Sequence, residues 1–575
     1  MLQDKQADAL ALEYAKAICE AFKEYNAEFR QITQRSRSRF ENRDWKGSQR
    51  DAVDRIELYD RIVRRTVVEL KRRLGYLSND RQLWVKTKCH YAKIIQYYVD
   101  SEFYKTFYSS ISRIIFKTVG VDSDVEFIAL DIETIPNRTK PVSTKEYKIG
   151  NLMQSSIFAF LTDNGFTVPF VDLHRSADFI VKEITTFCTI HCTDMEDLCI
   201  EIMEPVFYQI NRAYLVGKIV GKNWTSPFVV ALTNTEPGVE VDAVMMTEQE
   251  VAILFSYTRS YFHVDLTTVS DAVVYLMSFM PRKTVGELYT VLGRAKQGKT
   301  DRYRKIFLHL AKSHDLFVHA PGDKGLVMVV FTLPSHDIVI KVIRDRFAYP
   351  KTTSRKDVIN RYQSVFEHDR AGRLADAQEF RHLKFKVDRF TPELLEELIT
   401  ETAETARIEG DAIVINHCYI EHRFTPLNLY LKQTSNSNAK KVVYDYGQAI
   451  RDLAMSNIFP GDLLLKNFGV TGRGRVIFYD YDELCMVTDC NFRDLPQAQN
   501  FEDEMSAEAW FYVADNDIFP EQFISFLGFD DDLKKFFLEW HGEILTAEYW
   551  RNLQAKHRLG EFSDVTPYHH YPVGI

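Results

Sequence analysis

The sequence is poor in cysteine, in long apolar runs and in positive charge. Its eight cysteines are spread over 575 residues, and a chain of that length needs no disulfide framework, so a reducing cytoplasm fits it. No apolar run approaches the roughly 18 residues of a membrane-spanning helix, and residues 1–5 do not open a signal peptide. The net charge of −9 argues against a nucleic-acid-binding surface. We therefore expect a cytoplasmic chain that contacts neither membrane nor nucleic acid.

Paired zinc ligands are also missing from the sequence. Cys188, His191 and Cys192 lie close together, but no second pair follows at the spacing of a structural zinc site. The favoured interpretation is therefore that these cysteines are buried thiols.

The two halves of the chain differ in their hydrophobic pattern. Residues 1–120 carry apolar side chains at three- and four-residue spacing, among them Phe22, Tyr25 and Phe29, which predicts helices. Residues 214–220 and 227–232 predict a β-hairpin, and helical spacing returns over 248–276. From residue 317 short β-rich runs begin, so the sequence predicts a helical first part and a mixed second part.

Two motifs of the first half allow a functional interpretation. Residues 131–134, Asp-Ile-Glu-Thr, follow an apolar run that predicts a strand and resemble the first metal motif of 3′–5′ exonucleases, but the further carboxylates that such enzymes need are not found. Arg30, Arg35, Arg37 and Arg39 are spaced like a phosphate-binding patch. A solvated helix face is the favoured interpretation of these arginines.

Residues 293–300, Gly-Arg-Ala-Lys-Gln-Gly-Lys-Thr, match the P-loop pattern of nucleotide-binding proteins. A P-loop follows a buried strand, but here Thr284 and Glu287 form a plausible capping box and Leu288, Val291 and Leu292 follow at helical spacing. The pattern favours a connection between two helices. A P-loop ATPase remains the alternative, with the apolar run that ends at Asp480 as its second motif.

The second half begins with three short β-rich runs at 317–319, 327–331 and 338–343. A glycine-containing loop joins the first two runs, and Lys341 lies on the third. Residues 355–380 predict a helix, from which either Glu367 or Glu379 is a candidate partner of Lys341.

A strand, a hinge and two helices are predicted next along the chain. A strand is predicted at 412–415, a hinge at 417–423 and a helix from Thr425 and Pro426 through residue 431. A long helix follows, with Val442, Tyr446 and Leu453 on one face.

Residues 459–483 carry the strongest chemical signal. A loop with Asp462, Lys466 and Asn467 precedes two apolar runs, 468–470 and 476–479, which are joined by a glycine-rich turn and predict a hairpin. The second run ends on Asp480, which the hairpin brings back beside Asn467. An acidic, solvated hairpin rim is the alternative without function.

This spacing resembles the catalytic core of protein kinases. There an aspartate accepts the substrate hydroxyl proton, while an asparagine and a second aspartate hold magnesium ions. Phosphoryl transfer needs such a set because its catalysis depends mainly on positioning and charge neutralisation.

Four longer motifs narrow this resemblance to one family. The segments APGDKGLVMVVFTLP, EHDRAGRLAD, NIFPGDLLLKNFGV and VIFYDYDE are similar to those of isocitrate dehydrogenase kinase/phosphatase, the bifunctional bacterial enzyme that switches flux between the Krebs cycle and the glyoxylate bypass. The resemblance implies an α+β protein with a mainly helical regulatory domain at 1–316. A bilobal kinase-like domain would follow at 317–575, with its small lobe at about 317–420 and its large lobe at about 421–575.

The resemblance also implies the site residues and the partners. ATP, or ADP in the phosphatase direction, would bind Lys341 and the loop of Ala320, Pro321, Gly322, Asp323, Lys324, Gly325 and Leu326. Asp376, Asp462, Lys466 and Asp482 carry over as catalytic positions, and Asn467 and Asp480 as ligands of Mg²⁺ or Mn²⁺. The protein substrate would be isocitrate dehydrogenase, phosphorylated on a serine, with AMP and central metabolites as effectors and a homodimer allowed.

The sequence departs from ordinary protein kinases at three places. Residues 459–461, Phe-Pro-Gly, replace the usual His-Arg before the base, and Tyr481 and Asp482 replace Phe-Gly after the metal aspartate. The glycine loop has only Gly322 and Gly325. A kinase fold without activity that serves as a binding module is a further alternative, against which the intact Lys341, Asp462, Asn467 and Asp480 argue.

Overall fold

The computed structural model describes residues 4–127, 141–149, 153–191, 197–256, 262–349, 353–368, 372–497, 511–561, 564–566 and 568. The side chains of 366–368 are outside this description. Internal contacts divide the chain into two units, Met1–His314 and Asp315–Ile575. The exonuclease-like motif at 131–134, Cys192 and the last residues of the chain therefore lie outside the described part.

The first unit contains ten helices within its described residues. They are α1 (Asp4–Glu41), α2 (Trp45–Leu74), α3 (Arg81–Ile95), α4 (Ser101–Phe116), α5 (Met153–Thr162), α6 (Leu173–Ile190), α7 (Glu248–Leu254), α8 (Val269–Met277), α9 (Val285–Val291) and α10 (Ala295–Lys312).

Apolar spacing and capping residues explain these helices. On α1 the side chains of Phe22, Tyr25 and Phe29 are buried on one face, as a 3.6-residue period requires. The Asp44 carboxylate accepts a hydrogen bond from the Gly47 amide and caps α2. The helices predicted over 1–120 are thus confirmed.

The arginines of α1 are held in ion pairs rather than in an open patch. Arg30 Nε lies 2.6 Å from an Asp265 oxygen, and Arg35 Nη1 lies 3.1 Å from an Asp51 oxygen. Arg39 Nε lies 2.9 Å from the other Asp51 oxygen. Because carboxylates already occupy these guanidinium groups, the structure favours the interpretation as a helix face.

The first unit also contains an antiparallel sheet, most of which the sequence pattern did not predict. Its strands are β1 (Thr144–Ile149), β2 (Leu198–Met203), β3 (Phe207–Gln209), β4 (Arg212–Val220), β5 (Thr225–Asn234) and β6 (Val239–Met245). The order is β1-β2-β4-β5-β6, with β3 paired to β4. The predicted hairpin at 214–232 is confirmed as β4 and β5. The helical pattern predicted over 248–276 is interrupted between α7 and α8.

The P-loop pattern at 293–300 connects two helices, as predicted. Helix α9 ends at Val291 and α10 begins at Ala295, and Thr284 and Glu287 form the predicted capping box. A Cβ atom added at Gly298 would lie 2.0 Å from Thr290 Oγ1 and 2.6 Å from the Gly286 carbonyl oxygen. The glycine therefore allows α9 and α10 to approach closely, which is a packing role.

The second unit contains thirteen strands among its described residues. They are β7 (Val318–His319), β8 (Met328–Thr332), β9 (Ile338–Ile343), β10 (Gln378–Lys386), β11 (Ala406–Glu409), β12 (Ala412–His422), β13 (Thr425–Pro426), β14 (Ile458–Phe459), β15 (Phe468–Val470), β16 (Val476–Phe478), β17 (Cys485–Met486), β18 (Asn491–Phe492) and β19 (Asp517–Ile518).

The main sheet of this unit has the order β10-β12-β9-β8-β7, with β11 added to β12. The three predicted strands that begin the second half are confirmed as β7, β8 and β9. The predicted hairpin is confirmed as β15 and β16, in which Phe468 faces Phe478. Strand β13 joins this hairpin on the other side.

Seven helices complete the described second unit. They are α11 (Arg355–His368), α12 (Pro392–Glu401), α13 (Leu427–Gln433), α14 (Asn436–Met455), α15 (Phe523–Phe526), α16 (Asp531–His541) and α17 (Ala547–Leu559). Helix α14 confirms the long helix, and Val442, Tyr446 and Leu453 are buried on it. None of the described helices, in either unit, combines the length and the apolar character needed to cross a membrane.

Three predicted elements of the second unit are wrong in part. The helix predicted over 355–380 ends at His368, and residues from Gln378 onward form β10. The hinge predicted at 417–423 belongs mostly to β12, which continues to His422 because it pairs with both β9 and β10. Pro426 is the residue before α13 rather than its first residue.

Candidate active site

The second unit contains a cavity of about 520 Å³, a size typical of small-molecule sites. Its wall includes all the predicted site residues except Asp376. These are Ala320, Pro321, Gly322, Asp323, Lys324, Gly325, Leu326, Lys341, Asp462, Lys466, Asn467, Asp480 and Asp482. The cavity therefore brings together residues that are distant in sequence.

The loop between β7 and β8 forms one wall of the cavity. The Ala320 amide donates to the Val330 carbonyl at 3.0 Å, which fixes the start of the loop. Gly322 has φ +122°, a conformation that side chains rarely adopt. A Cβ atom at Gly325 would lie 2.9 Å from the Met328 carbonyl oxygen. Both glycines are thus required by the loop's own geometry.

Helix α12 holds this loop through charged contacts. Lys324 Nζ lies 2.9 Å from Glu397 Oε1, and Arg344 Nη2 lies 2.6 Å from the same oxygen. Arg344 Nε also donates to the Gly325 carbonyl at 3.1 Å. Burial would raise the pKa of Glu397, but hydrogen bonds from Lys324, Arg344 and His319 outweigh it and lower the pKa to about 2.

Lys341 is nearly buried and has a carboxylate partner on the neighbouring strand. Its Nζ lies 2.7 Å from Glu421 Oε1 and donates to the Tyr479 carbonyl at 2.8 Å. Lys341 is on β9 and Glu421 on β12, which pair antiparallel. Glu379 pairs instead with His417 and Arg381, so its predicted role is wrong, and Glu367 lies among the side chains that are not described.

Asp462 lies in the loop after β14 and is half-buried. One of its oxygens accepts a hydrogen bond from the Leu464 amide at 2.8 Å. Burial raises the pKa of Asp462, and although the Leu464 amide and Lys466 lower it, the charges of Glu483 and Asp480 raise it further. The loop can make this turn because Gly461 has φ +81°.

The hairpin of β15 and β16 brings Asn467 and Asp480 together as predicted. The Tyr479 amide donates to the Asn467 carbonyl at 3.1 Å, so the residues that flank the hairpin are direct neighbours. Asn467 is buried and Lys466 is exposed, yet both line the cavity. Asp480 follows β16 by two residues, Asp482 lies in the turn after it, and both residues line the cavity.

Asp376 is placed beside this group rather than in the cavity wall. Leu374 forms a parallel bridge to Phe478, and the Ala375 amide donates to the Phe478 carbonyl at 3.0 Å. Asp376 therefore follows this bridge by two residues, as Asp480 does on the other strand. Gln378 Nε2 donates to Asp376 Oδ2 at 3.1 Å.

A buried charge cluster anchors β16 and the segment around Arg373 to α14. Arg373 is fully buried and lies 2.8 Å from Asp445 and 2.8 Å from Asp452. Its Nη1 donates to the Val476 carbonyl at 2.9 Å, and the Phe478 amide donates to the Arg373 carbonyl at 2.7 Å. We call Arg373, Asp445 and Asp452 the buried triad.

The donor atoms of the cavity suit a hard divalent cation. Asn467 and Asp480 supply amide and carboxylate oxygens, the ligands that Mg²⁺ prefers. Within the described residues, no group of three or more His, Cys, Asp or Glu side chains forms a metal cage.

Each of the two units matches a model of a protein-family domain. Residues 315–570 match the model described as "Isocitrate dehydrogenase kinase/phosphatase (AceK) kinase domain". Residues 15–314 match the regulatory domain of the same family. The mainly helical regulatory domain and the kinase domain predicted from the sequence are thereby confirmed, and a kinase domain implies the use of ATP.

Curated relatives extend this similarity over the whole chain. The chain is 46% identical over 565 residues to the isocitrate dehydrogenase kinase/phosphatase of Xanthomonas euvesicatoria pv. vesicatoria (strain 85-10), covering 98% of this chain and 97% of the relative. It is 45% identical over 558 residues to the protein of that name from Anaeromyxobacter sp. (strain Fw109-5), covering 96% of each. The chain belongs to the isocitrate dehydrogenase kinase/phosphatase family.

Proposed function

We propose that this chain phosphorylates a serine of isocitrate dehydrogenase and also removes that phosphate, and that both reactions use the cavity of the second unit. The observation that carries the proposal is the meeting of the glycine loop, Lys341 and the group of Asp462, Asn467 and Asp480 in one cavity. Phosphorylation would inactivate the dehydrogenase and so direct carbon into the glyoxylate bypass.

The nucleotide end of the cavity is formed by the loop of residues 320–326 and by Lys341. Lys341 is held in place by Glu421 and the Tyr479 carbonyl, and its ammonium group would contact the α- and β-phosphates. The side chain of Lys324 is engaged by Glu397, so the loop offers the phosphates its backbone amides.

Asn467 and Asp480 would hold Mg²⁺ or Mn²⁺ in this site. Such an ion, when bound, neutralises phosphate charge and fixes the geometry of the phosphates. The two residues flank the open end of a hairpin, one before its first strand and one after its second. Three residue pairs fix the register of that hairpin, so the fold sets the relative position of the two residues.

In the kinase direction Asp462 orients the serine hydroxyl and accepts its proton. Burial raises the pKa of this carboxyl group, which makes it a stronger base than an exposed aspartate. Lys466 lies in the same wall and neutralises charge on the transferred phosphoryl group.

In the phosphatase direction ADP accepts the phosphoryl group of phosphoserine, the serine oxygen takes back a proton, and water then attacks the terminal phosphate of the ATP formed. Asp482 and Asp376 are the carboxylates that we assign to positioning this water. The assignment is supported by Asp482 in the cavity wall and by Asp376, which follows the bridge between Leu374 and Phe478 by two residues, as Asp480 does.

The family membership supports further proposals that concern the whole protein. We propose that it acts in the cytoplasm, that AMP and central metabolites shift the balance between its two reactions, and that it can form a homodimer.

The test is incubation of the protein with isocitrate dehydrogenase, Mg²⁺ and ATP labelled on the terminal phosphate, followed by ADP. We expect label to enter one serine of the dehydrogenase and to leave it after ADP is added. A protein that hydrolyses ATP but never labels the dehydrogenase would contradict the proposal and favour the P-loop ATPase. A protein that binds the dehydrogenase without labelling it would favour the inactive binding module.

A further inference from the structure

The thiol groups of Cys485 and Cys490 lie side by side, shortly after Asp480 and Asp482 of the cavity wall. The Sγ atoms of Cys485 and Cys490 are 3.5 Å apart, which is direct contact. Cys485 is partly accessible to solvent, whereas Cys490 is buried. Only two residues separate Cys485 from Asp482, so the pair lies next to the predicted catalytic carboxylates.

We propose that Cys485 and Cys490 form a hydroperoxide-sensitive dithiol, and that its oxidation to a disulfide suppresses the chemistry of the neighbouring cavity. The formation of the disulfide does not depend on the proposed function of the chain. The expected loss of activity does rest on the proposed function.

The two cysteines differ in a way that assigns the reacting thiol. The hydrogen bond between the two thiols lowers the pKa of the Cys485 thiol, with a contribution from Arg361, although burial and the charge of Asp489 oppose the effect. The same hydrogen bond, together with burial, raises the pKa of Cys490. Cys485 is also the more accessible of the two thiols, and it is therefore the thiolate that meets the oxidant, since only a thiolate attacks efficiently.

The chemistry is a two-electron oxidation by a hydroperoxide. The Cys485 thiolate attacks the outer oxygen of the O–O bond, and that bond breaks. The alkoxide or hydroxide that leaves takes up the proton lost from the Cys485 thiol, and Cys485 becomes a sulfenic acid. The thiol of Cys490 then loses its proton and attacks the sulfur of Cys485, an S–S bond forms, and water leaves. In total two thiols are oxidised and one hydroperoxide is reduced.

The buried cysteine is held firmly, so it cannot move freely toward its partner. Gln554 on α17 donates to the Val487 carbonyl and to the Cys490 carbonyl, each at 2.7 Å. A disulfide bond requires the two sulfur atoms to come within about 2.0 Å of each other. Because Cys490 is clamped, we expect the displacement to fall mainly on Cys485 and its strand.

Strand β17, which carries Cys485, lies against β14 and the loop that carries Asp462. Cys485 of β17 faces Phe459 of β14, and β14 leads directly into the loop that carries Asp462. A Cβ atom added at Gly461 would lie only 2.4 Å from the Glu483 carbonyl oxygen. Movement of Cys485 is therefore transmitted to Asp482 on one side and to Asp462 on the other.

The first test measures the crosslink itself. The reduced full-length protein is treated with a limited amount of hydrogen peroxide, thiols are alkylated, and peptides are mapped by mass spectrometry. We expect a peptide that has lost two hydrogen atoms and joins Cys485 to Cys490, and we expect dithiothreitol to remove the bond. Oxidation of other cysteines with both of these thiols still alkylated would overturn the proposal.

Two variants sharpen this test. Cys490→Val keeps a buried apolar side chain but cannot complete the disulfide, so the sulfenic acid on Cys485 should persist and react with dimedone. Cys89→Ser removes an exposed single thiol of the first unit and should leave the crosslink unchanged. Equal dimedone labelling of the unaltered protein and of Cys490→Val would show that Cys490 is not the second partner.

The second test measures activity. Displacement of a catalytic group by about 1 Å costs on the order of a hundredfold in rate, so the oxidised protein should lose at least about tenfold in both directions and regain its rates with dithiothreitol. Cys490→Val should show no such reversible loss. A complete disulfide with unchanged rates would overturn the effect on the cavity. A reduced protein without either activity would instead count against the proposed function.

Discussion

At the scale of single residues, Asp480 and Asp482 separate the two directions of the proposed chemistry. Both directions need the metal and the nucleotide, but only hydrolysis needs a positioned water molecule. Asp480→Ala should therefore abolish both rates, whereas Asp482→Ala should lower dephosphorylation by about 10²–10⁴ and phosphorylation far less. Both rates are to be measured on one preparation of each variant. Equal losses in Asp482→Ala would mean that Asp482 is a metal ligand or a structural group.

Lys341 and Glu421 form a pair whose partners can be tested separately. Lys341→Met should lower both rates by about 10²-fold or more, because one charged donor to a phosphate is lost. Glu421→Gln should lower them less, since the lysine keeps its bond to the Tyr479 carbonyl. The KM for ATP and kcat are measured for both variants. A Lys341→Met protein with full rates in both directions would remove Lys341 from the site.

At the scale of elements, the buried triad connects α14 with the strand that carries Asp480. Replacement of Arg373 by Met would leave two buried carboxylates without their cation, which costs about 3–5 kcal/mol. Hydrogen–deuterium exchange should accelerate in peptides that span 436–455 and 476–480. Arg381→Met is the control, because Arg381 is 67% exposed in its ion pair and such a pair contributes at most about 1 kcal/mol.

Helices α14 and α16 meet at a contact that makes stability depend on pH. His541 packs on Gly447, where an added Cβ atom would lie 2.2 Å from its ring. Burial, aided by Arg451, lowers the pKa of His541 from 6.5 to about 4. The unfolded chain therefore binds a proton between those two values that the folded chain does not, and stability falls as the pH falls from 6.5 toward 4.

The size of this effect follows from the shift of the His541 pKa. A change of that size corresponds to roughly 3 kcal/mol by pH 4. Urea unfolding of His541→Gln at several pH values should show a weaker pH dependence than the unaltered protein. His174→Gln, which alters an exposed histidine, should leave the dependence unchanged. Identical slopes for all three proteins would contradict the assignment.

At the scale of the whole molecule, the two candidate nucleotide sites belong to different units. The P-loop pattern lies between α9 and α10 of the first unit, and the cavity lies in the second. Lys299→Ala should therefore leave both activities within about twofold, since a lysine on a helix that follows another helix has no phosphate cradle. Gly298→Val should instead destabilise the packing of α9 on α10. Loss of ATP binding in Lys299→Ala would support the P-loop interpretation.

The sequence predicted those parts of the molecule that depend on local spacing. Helices α1 and α14 follow from apolar periodicity, and the hairpin of β15 and β16 follows from a glycine-rich turn. The first three residues of β10 were included in a predicted helix and the rest was not recognised as a strand, because His382 has φ +56° and interrupts the alternation between buried Phe380 and buried Phe385. A broken alternation removes the main signal of a strand.

The site residues likewise differ in whether the sequence alone could reveal them. Asp462, Asn467 and Asp480 could be found because they lie within one short segment. Glu421 could not, since only the pairing of β9 with β12 brings it to Lys341, and strand pairing depends on contacts far apart in the chain. Apart from β4 and β5, the strands of the first-unit sheet escaped prediction for the same reason.

The placement of Glu421 has a consequence for control of the enzyme. In ordinary protein kinases the glutamate that pairs with the lysine is on a helix, and swinging that helix away disables the enzyme. In this chain lysine and glutamate belong to adjacent strands of one sheet, which cannot part without breaking backbone hydrogen bonds. The pair itself thus provides no off position, so a regulator that stops both reactions has to act on another part of the site.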